Sequence, residues 1–136
     1  MRIFIICSKQ FYDRIAPIRE ELAETGHRLT MPNCFDEPDT ENKYREMGEK
    51  EHAKWKAHMI WESVKTIEQN DAVLVLNFEK NDIPNYIGGA TFLEMYDAFQ
   101  LGKKIFLFNP IPEGMLYDEI LGFEPVILFG DLSKIV

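Results

Sequence analysis

This sequence contains five apolar segments. In the first and third of them the apolar residues form a continuous run and do not alternate with polar ones. Residues 3–7 and 72–77 form these two runs, which is the pattern of a strand buried on both faces. Further strands are predicted at 27–31, 105–108 and 126–129, and segments with helical spacing separate them. The alternation predicts an α/β fold with three layers, α/β/α, in which helices cover both faces of a five-stranded parallel sheet. We expect one domain over residues 1–136 with the flavodoxin-like strand order 2-1-3-4-5.

The least regular stretch is 32–48, which contains Pro32, Pro38 and many charged residues. Connections of this length are either functional lids or locally mobile. We interpret this one as a lid over a site and keep a mobile connection as the alternative. A helical period resumes at Glu49 and leads to the third strand.

Charge and cysteine content exclude several classes of function. The 15 basic and 23 acidic side chains give a net charge of −8, which argues against binding to a nucleic acid polymer but does not exclude a single nucleotide. Cys7 and Cys34 form no disulfide framework and have no metal-type spacing. His52 and His58 are six residues apart and do not share a helical face, so neither a metal site nor a cofactor is expected. With no apolar run of membrane length and no signal-peptide pattern, we expect a cytoplasmic protein without membrane contact.

Unusual residues concentrate between the carboxyl end of the third strand and the start of the next helix. In a parallel sheet of this order, ligands bind at the carboxyl ends of the strands. Adjacent glycines allow the backbone to approach a ligand, and a helix N-terminus favours an anion. The residues expected around one crevice are Asn77, Tyr86, Gly88, Gly89, Thr91 and Glu94.

Glu94 is the candidate for chemistry in this set. It lies about one turn into the predicted helix, where the helix dipole favours an ionised carboxylate, and such a carboxylate can act as a nucleophile or base. The alternative from spacing alone is a carboxylate that only complements the dipole on a solvated helix start.

A wider pattern extends from the third strand to the end of that helix, through Asp71, Thr91, Glu94, Ala98, Gly102 and Lys103. It resembles the nucleoside 2-deoxyribosyltransferase superfamily. Members have an Asp before the third strand, a Gly-Thr-x-x-Glu-like turn, and then an Ala and a Gly-Lys at the helix end. The resemblance implies that Glu94 attacks the anomeric carbon of a nucleoside and forms a glycosyl-enzyme intermediate, which a second base or water resolves. It also implies a homodimer or higher homo-oligomer, with Trp61 and Tyr96 as interface candidates.

The sequence departs from the family pattern at three positions. Ser63 stands where members commonly carry an Asp on the second helix, Ala90 where they carry a Gly, and Tyr96 where they carry a small residue. The acid that protonates the leaving base is therefore missing from its usual place. Either a loop supplies it, or the reaction has changed, or activity is lost; the loop candidates are Asp36, Asp39 and Asp82.

Ser8 and Lys9 follow the first strand, where family members have a small-residue turn. A hydroxyl and an ammonium at a switch point suit a phosphate, and related nucleotide N-glycosidases use a Ser near this turn. The alternative is a polar loop with a solvated Lys. Asp71 and Ser63 are supporting candidates, although an Asp at the position of Asp71 more often orients a helix-to-strand turn.

Two functions follow from these observations. The first is an enzyme that cleaves or transfers the N-glycosidic bond of a (deoxy)nucleoside or nucleoside 5′-monophosphate through Glu94. The second is a non-catalytic nucleotide-binding or sensing protein on the same fold, motivated by Ser63, Ala90 and Tyr96.

Overall fold

Five parallel strands form one sheet in the computed structural model, which describes residues 1–136. The strands are β1 (Arg2–Ile6), β2 (Arg28–Thr30), β3 (Ala72–Val75), β4 (Lys104–Leu107) and β5 (Val126–Ile127). Their order is β2-β1-β3-β4-β5, and every pair is parallel. The predicted fold class and strand order are therefore confirmed.

Five α-helices connect and cover the strands. They are α1 (Ile15–Glu24), α2 (Thr40–Glu46), α3 (Glu49–Glu68), α4 (Gly89–Gln100) and α5 (Tyr117–Gly122). Short 3-10 helices lie at Lys9–Arg14 and Leu132–Lys134. None of the helices has both the length and the apolar character that crossing a membrane requires.

The stretch predicted to be irregular, 32–48, contains helix α2. This helix buries none of its residues, so its sequence lacks the apolar stripe that reveals a helix packed on a core. It lies instead against α3, with the rings of Tyr44 and Trp55 stacked at 5.6 Å.

The core has two halves, one on each face of the sheet. Successive residues of a strand point to opposite faces, so Ile3 and Ile5 pack with α1 while Phe4 and Ile6 pack with the other helices. Met95 on α4 and Ile67 on α3 are fully buried in this second half. The three-layer arrangement follows from these two apolar clusters.

The order of the strands places a crevice between β1 and β3. The chain leaves β1 toward β2 on one side and leaves β3 toward β4 on the other, so the loops that follow β1 and β3 diverge at the carboxyl edge. Ligands of open parallel sheets bind at such a divergence.

Candidate functional site

A cavity of about 780 Å³ opens at the carboxyl edge of β1 and β3. Its size lies within the range of roughly 300–1,000 Å³ that is usual for small-molecule sites. The loops after β1, β2 and β3 line it together with α2, α3 and α4. The polar and charged side chains around it are Ser8, Lys9, Tyr12, Asn33, Glu41, Arg45, Lys56, Ser63, Lys80, Tyr86, Thr91, Glu94 and Asp97.

Glu94 lies on the second turn of α4, and a hydrogen-bonded chain holds its carboxylate. The Ser63 hydroxyl donates to Glu94 Oε2 at 3.0 Å. Asn33 Nδ2 in turn donates to Ser63 Oγ at 2.8 Å, so the hydroxyl proton is directed at the carboxylate. Ser63 is buried on α3. The two hydrogen bonds therefore fix the Glu94 side chain relative to both α3 and the loop after β2.

Burial raises the pKa of Glu94 from an ordinary value of 4.5 to about 7. The hydrogen bond from Ser63 and the positive charge of Lys56 oppose that rise, while the negative charge of Asp97 adds to it. A carboxyl with a pKa near neutrality exchanges its proton readily at physiological pH, which is a property of catalytic carboxylates.

Three of the lining residues, Ser8, Lys9 and Lys80, form what we call the cationic end of the cavity. Lys80 Nζ donates to Ser8 Oγ at 3.4 Å and lies 4.5 Å above the ring of Tyr86. Lys9 also lines the cavity and is exposed. Two ammonium groups beside a hydroxyl are suited to bind a phosphate.

The start of α4 completes this cationic end. Gly88 precedes the first helical residue, Gly89, and no side chain caps the helix. A Cβ atom on Gly88 would lie 3.2 Å from the Tyr86 hydroxyl, so the lack of a side chain allows Tyr86 to pack against the backbone there. Nothing lies within 4 Å of the corresponding position on Gly89, and the adjacent backbone N–H groups remain open to a ligand.

Helix α2 is fixed over the cavity by one carboxylate. Glu41 accepts from His52 Nε2 at 2.8 Å and from Lys56 Nζ at 3.0 Å, and Arg45 lies 3.3 Å away. Glu41, Arg45 and Lys56 all line the cavity. These contacts join α2 to α3, so the segment interpreted as a lid forms one wall of the cavity.

Most of the residues predicted for the site meet at this cavity. The structure brings together Ser8, Lys9, Ser63, Tyr86, Gly88, Gly89, Thr91 and Glu94. Thr91 is buried, while Gly89 is exposed at the rim.

Asn77 and Asp71 lie outside the lining. Asn77 is fully buried, and its side chain binds the backbone of Asn109 and Pro110 at 2.9–3.0 Å. Asp71 lies at the opposite edge of the sheet, where the backbone N–H of Arg2 donates to it at 2.7 Å. Hydrogen bonds from Arg2 keep the pKa of Asp71 below its usual range. Both residues therefore join segments at the ends of neighbouring strands.

Of the three residues that depart from the family pattern, two lie at the cavity and one lies outside it. Ser63 contacts Glu94, and Ala90 lines the cavity. Tyr96 does not enter the cavity; its hydroxyl accepts from Gln100 Nε2 at 2.7 Å on the outer surface. Trp61 is 68% exposed, and the association of copies through Trp61 and Tyr96 stays a prediction.

Seven of the polar and charged residues that line the cavity were not predicted from the sequence: Tyr12, Asn33, Glu41, Arg45, Lys56, Lys80 and Asp97. Lys56 and Ser63 are seven apart on α3, a spacing that places them on one helix face, and the same rule relates Asp97 to Glu94 on α4. These two were therefore open to prediction. Asn33 and Lys80 come from loops, and no local pattern of the sequence indicates which way their side chains point.

A comparison with solved structures found a protein of similar fold. The CMP N-glycosidase BcmB of Clostridium botulinum has a similar structure, with a TM-score of 0.53 and 19% sequence identity over 93% of this chain and 85% of that chain. At this level of identity the similarity shows a shared fold. A scan of family models and a search of curated proteins gave no match.

Proposed function

We propose that this protein cleaves the N-glycosidic bond of a nucleoside 5′-monophosphate or a (deoxy)nucleoside, with Glu94 as the nucleophile. The observation that carries the proposal is the placement of Glu94 in the cavity, held by Ser63 at 3.0 Å. The shared fold with a CMP N-glycosidase supports it.

The chemistry uses Glu94 in its ionised form. A carboxylate oxygen attacks the anomeric carbon while the bond to the base breaks, and a glycosyl ester forms on Glu94. Water then hydrolyses the ester, or a second base accepts the sugar. The ionised carboxylate has to be present in a partly buried site, and Ser63 and Lys56 favour that form.

The cationic end of the cavity supports a monophosphate as the preferred substrate. Lys80 and Ser8 are within hydrogen-bond distance of each other, and the uncapped start of α4 lies on the same cavity. A phosphate there would accept from an ammonium, a hydroxyl and backbone N–H groups, which are strong donors to an anion.

The test is a panel of nucleosides, deoxynucleosides and their 5′-monophosphates, incubated with the protein and assayed for free base. We expect base release from at least one monophosphate, at a rate above that of Glu94→Ala. If no member of the panel releases base above this background, the enzymatic proposal fails.

Replacing Lys80 by methionine should weaken the binding of monophosphates but not that of nucleosides. Loss of one charged hydrogen bond to phosphate is expected to raise the KM for the monophosphate about 10-fold, with little change for the nucleoside. Lys50→Met is the matched control, since Lys50 is exposed on α3 and does not line the cavity. Equal effects of Lys80→Met on both substrates would contradict a phosphate contact.

A non-catalytic nucleotide-binding protein is the second candidate, and Ser63 in place of the family Asp favours it. This function predicts that a nucleoside monophosphate raises the unfolding temperature without being consumed. The same stabilisation would persist in Glu94→Gln. Base release in the panel excludes this candidate.

A further inference from the structure

We infer that Asn33, on the loop after β2, is a positioning residue that acts on Glu94 through Ser63. Its side-chain amide holds the Ser63 hydroxyl so that the hydroxyl proton points at the carboxylate. The inference rests on the proposed function, in which Glu94 reacts as an ionised nucleophile. Its basis is two consecutive hydrogen bonds, from Asn33 Nδ2 to Ser63 Oγ at 2.8 Å and from Ser63 Oγ to Glu94 Oε2 at 3.0 Å.

The direction of the two hydrogen bonds follows from the groups that form them. The Nδ2 group of an asparagine only donates, whereas a hydroxyl both donates and accepts. Ser63 Oγ accepts from Asn33, so one of its acceptor sites is occupied and its own proton remains to be donated. That proton reaches Glu94 Oε2, and an ionised carboxylate only accepts.

A hydroxyl on a helix has an alternative partner, the backbone carbonyl group one turn earlier. Thr66, three residues after Ser63 on α3, takes that partner: its hydroxyl donates to the carbonyl oxygen of Glu62 at 3.0 Å. Ser63 instead donates away from its own helix, to Glu94. Ser63 differs from Thr66 in that the Asn33 amide contacts its oxygen. The amide therefore favours the orientation of the Ser63 hydroxyl that serves Glu94.

The loop that carries Asn33 is itself held in place. The Tyr12 hydroxyl donates to the backbone carbonyl of Asn33 at 3.0 Å. The Tyr12 ring packs against Phe35, with 5.6 Å between the ring centroids, and Pro32 is buried. Because the residues around Asn33 are fixed, its amide can hold the Ser63 hydroxyl in one position.

The titratable side chains that face Glu94 are Asp97 on α4, Lys56 on α3, and Cys7 and Tyr12 in the segment after β1. Burial raises the pKa of Cys7 to about 12 and also raises that of Tyr12, so both are neutral at physiological pH. The loop aspartates that were the sequence-based candidates for the acid are exposed and do not line the cavity; they are Asp36, Asp39 and Asp82.

The hydrogen bond from Ser63 has a large share in keeping Glu94 ionised. Burial raises the pKa of Glu94 most, and the negative charge of Asp97 adds to the rise. Two groups oppose it, and the Ser63 hydroxyl has a larger effect than the charge of Lys56. A carboxyl with a pKa of about 7 is only partly ionised near neutral pH. The fraction of protein with a reactive nucleophile therefore depends on how the Ser63 hydroxyl is oriented.

The test replaces Asn33 by aspartate and by alanine and follows the ionisation of Glu94 in two ways. The first is the pH dependence of kcat/KM for base release, which reports groups of the free enzyme. The same substrate from the panel is used throughout, so its own titration cancels between variants. The second is an NMR titration of the Glu94 carboxyl carbon, which needs no turnover and is assigned by its absence in Glu94→Gln. Asn42→Asp is the matched control for the added charge, since Asn42 is exposed on α2 and does not line the cavity.

For Asn33→Asp we expect the midpoint of both pH profiles to rise by about one unit or more. An ionised aspartate at this position has no donor, so it would accept from Ser63 and draw the hydroxyl proton away from Glu94. Base release should fall roughly 10-fold near pH 6 and come within a few-fold of wild type near pH 9. Asn33→Ala should shift the midpoint in the same direction but by less, because the freed hydroxyl still donates to Glu94 part of the time. Asn42→Asp should leave both profiles unchanged.

A double variant shows whether Asn33 acts through Ser63. Ser63→Ala removes the hydroxyl and should itself raise the midpoint. In that background Asn33→Ala should cause no further shift, because no hydroxyl is left to orient. The unfolding temperature of each variant is measured, and all assays are run well below the lowest of them.

Three outcomes overturn this inference alone. Midpoints that stay at the wild-type pH in both Asn33 variants would show that Asn33 does not affect Glu94. Equal losses of base release at every pH would mean that Asn33 only maintains the loop. A shift caused by Asn33→Ala that persists in full beside Ser63→Ala would mean that Asn33 acts by another route. Wild-type protein that releases no base at any pH would refute the proposed function itself, and with it the role of Asn33.

Discussion

Glu94→Gln is expected to reduce base release at least about 1,000-fold. An amide oxygen cannot form the glycosyl ester and then leave as a carboxylate, so both steps of the proposed reaction lose their central group. The substitution keeps the shape of the side chain, and Ser63 Oγ can still donate to the amide oxygen in place of Oε2. Substrate binding should therefore persist, which can be measured as a rise in unfolding temperature on addition of the monophosphate.

Glu68→Gln provides the matched control for this result. Glu68 is exposed at the end of α3 and does not line the cavity, so its substitution should leave base release unchanged. Activity of Glu94→Gln within about 10-fold of wild type would show that another group is the nucleophile, because no covalent mechanism tolerates the loss of its attacking atom.

The fold could be predicted because the apolar pattern within short segments indicates which strands are buried on both faces. The apolar runs at 3–7 and 72–77 are buried on both faces, and a parallel sheet with crossover helices is the arrangement that covers both faces. Helix α2 was missed for the opposite reason: it lacks a buried stripe, and proline and charge dominate its surroundings.

The site could be predicted only where topology decides it. The strand order brings Ser8, Gly88 and Glu94 to one edge, whichever side chains surround them. Asn77 is also at a strand end, yet it binds the loop at Asn109, because the direction of a side chain depends on which backbone groups need partners. Lys80 and Ser8 are 72 residues apart, and only folding brings them together.

The pKa of Glu94 has a consequence for stability as well as for activity. The folded state holds the Glu94 proton more tightly than the unfolded chain does, since burial raises this pKa from 4.5 to about 7. Below pH 4.5 Glu94 is protonated in both the folded and the unfolded state, and its burial does not lower the free energy of unfolding through ionisation. As the pH rises from 4.5 to 7, the unfolded chain loses its proton first, and the free energy of unfolding falls. Above pH 7 Glu94 is ionised in both states, and the reduction in the free energy of unfolding has its full value. That value is at most roughly 3 kcal/mol, at about 1.4 kcal/mol per pKa unit.

Glu94→Gln should remove this pH dependence, because glutamine does not titrate. At pH 4 the variant and the wild type are expected to unfold with similar free energies, since Glu94 is then protonated in the folded wild type and largely protonated in its unfolded chain. At pH 8 the variant should be more stable by about 1–3 kcal/mol, measured by urea unfolding at both pH values. Glu68→Gln should show no such difference, because Glu68 is exposed. A variant that is equally stable or less stable than wild type at pH 8 would mean that the protein accommodates the ionised Glu94 without cost. A gain in stability together with a loss of base release would mark Glu94 as a group kept ionisable in a partly buried place because the reaction needs it there.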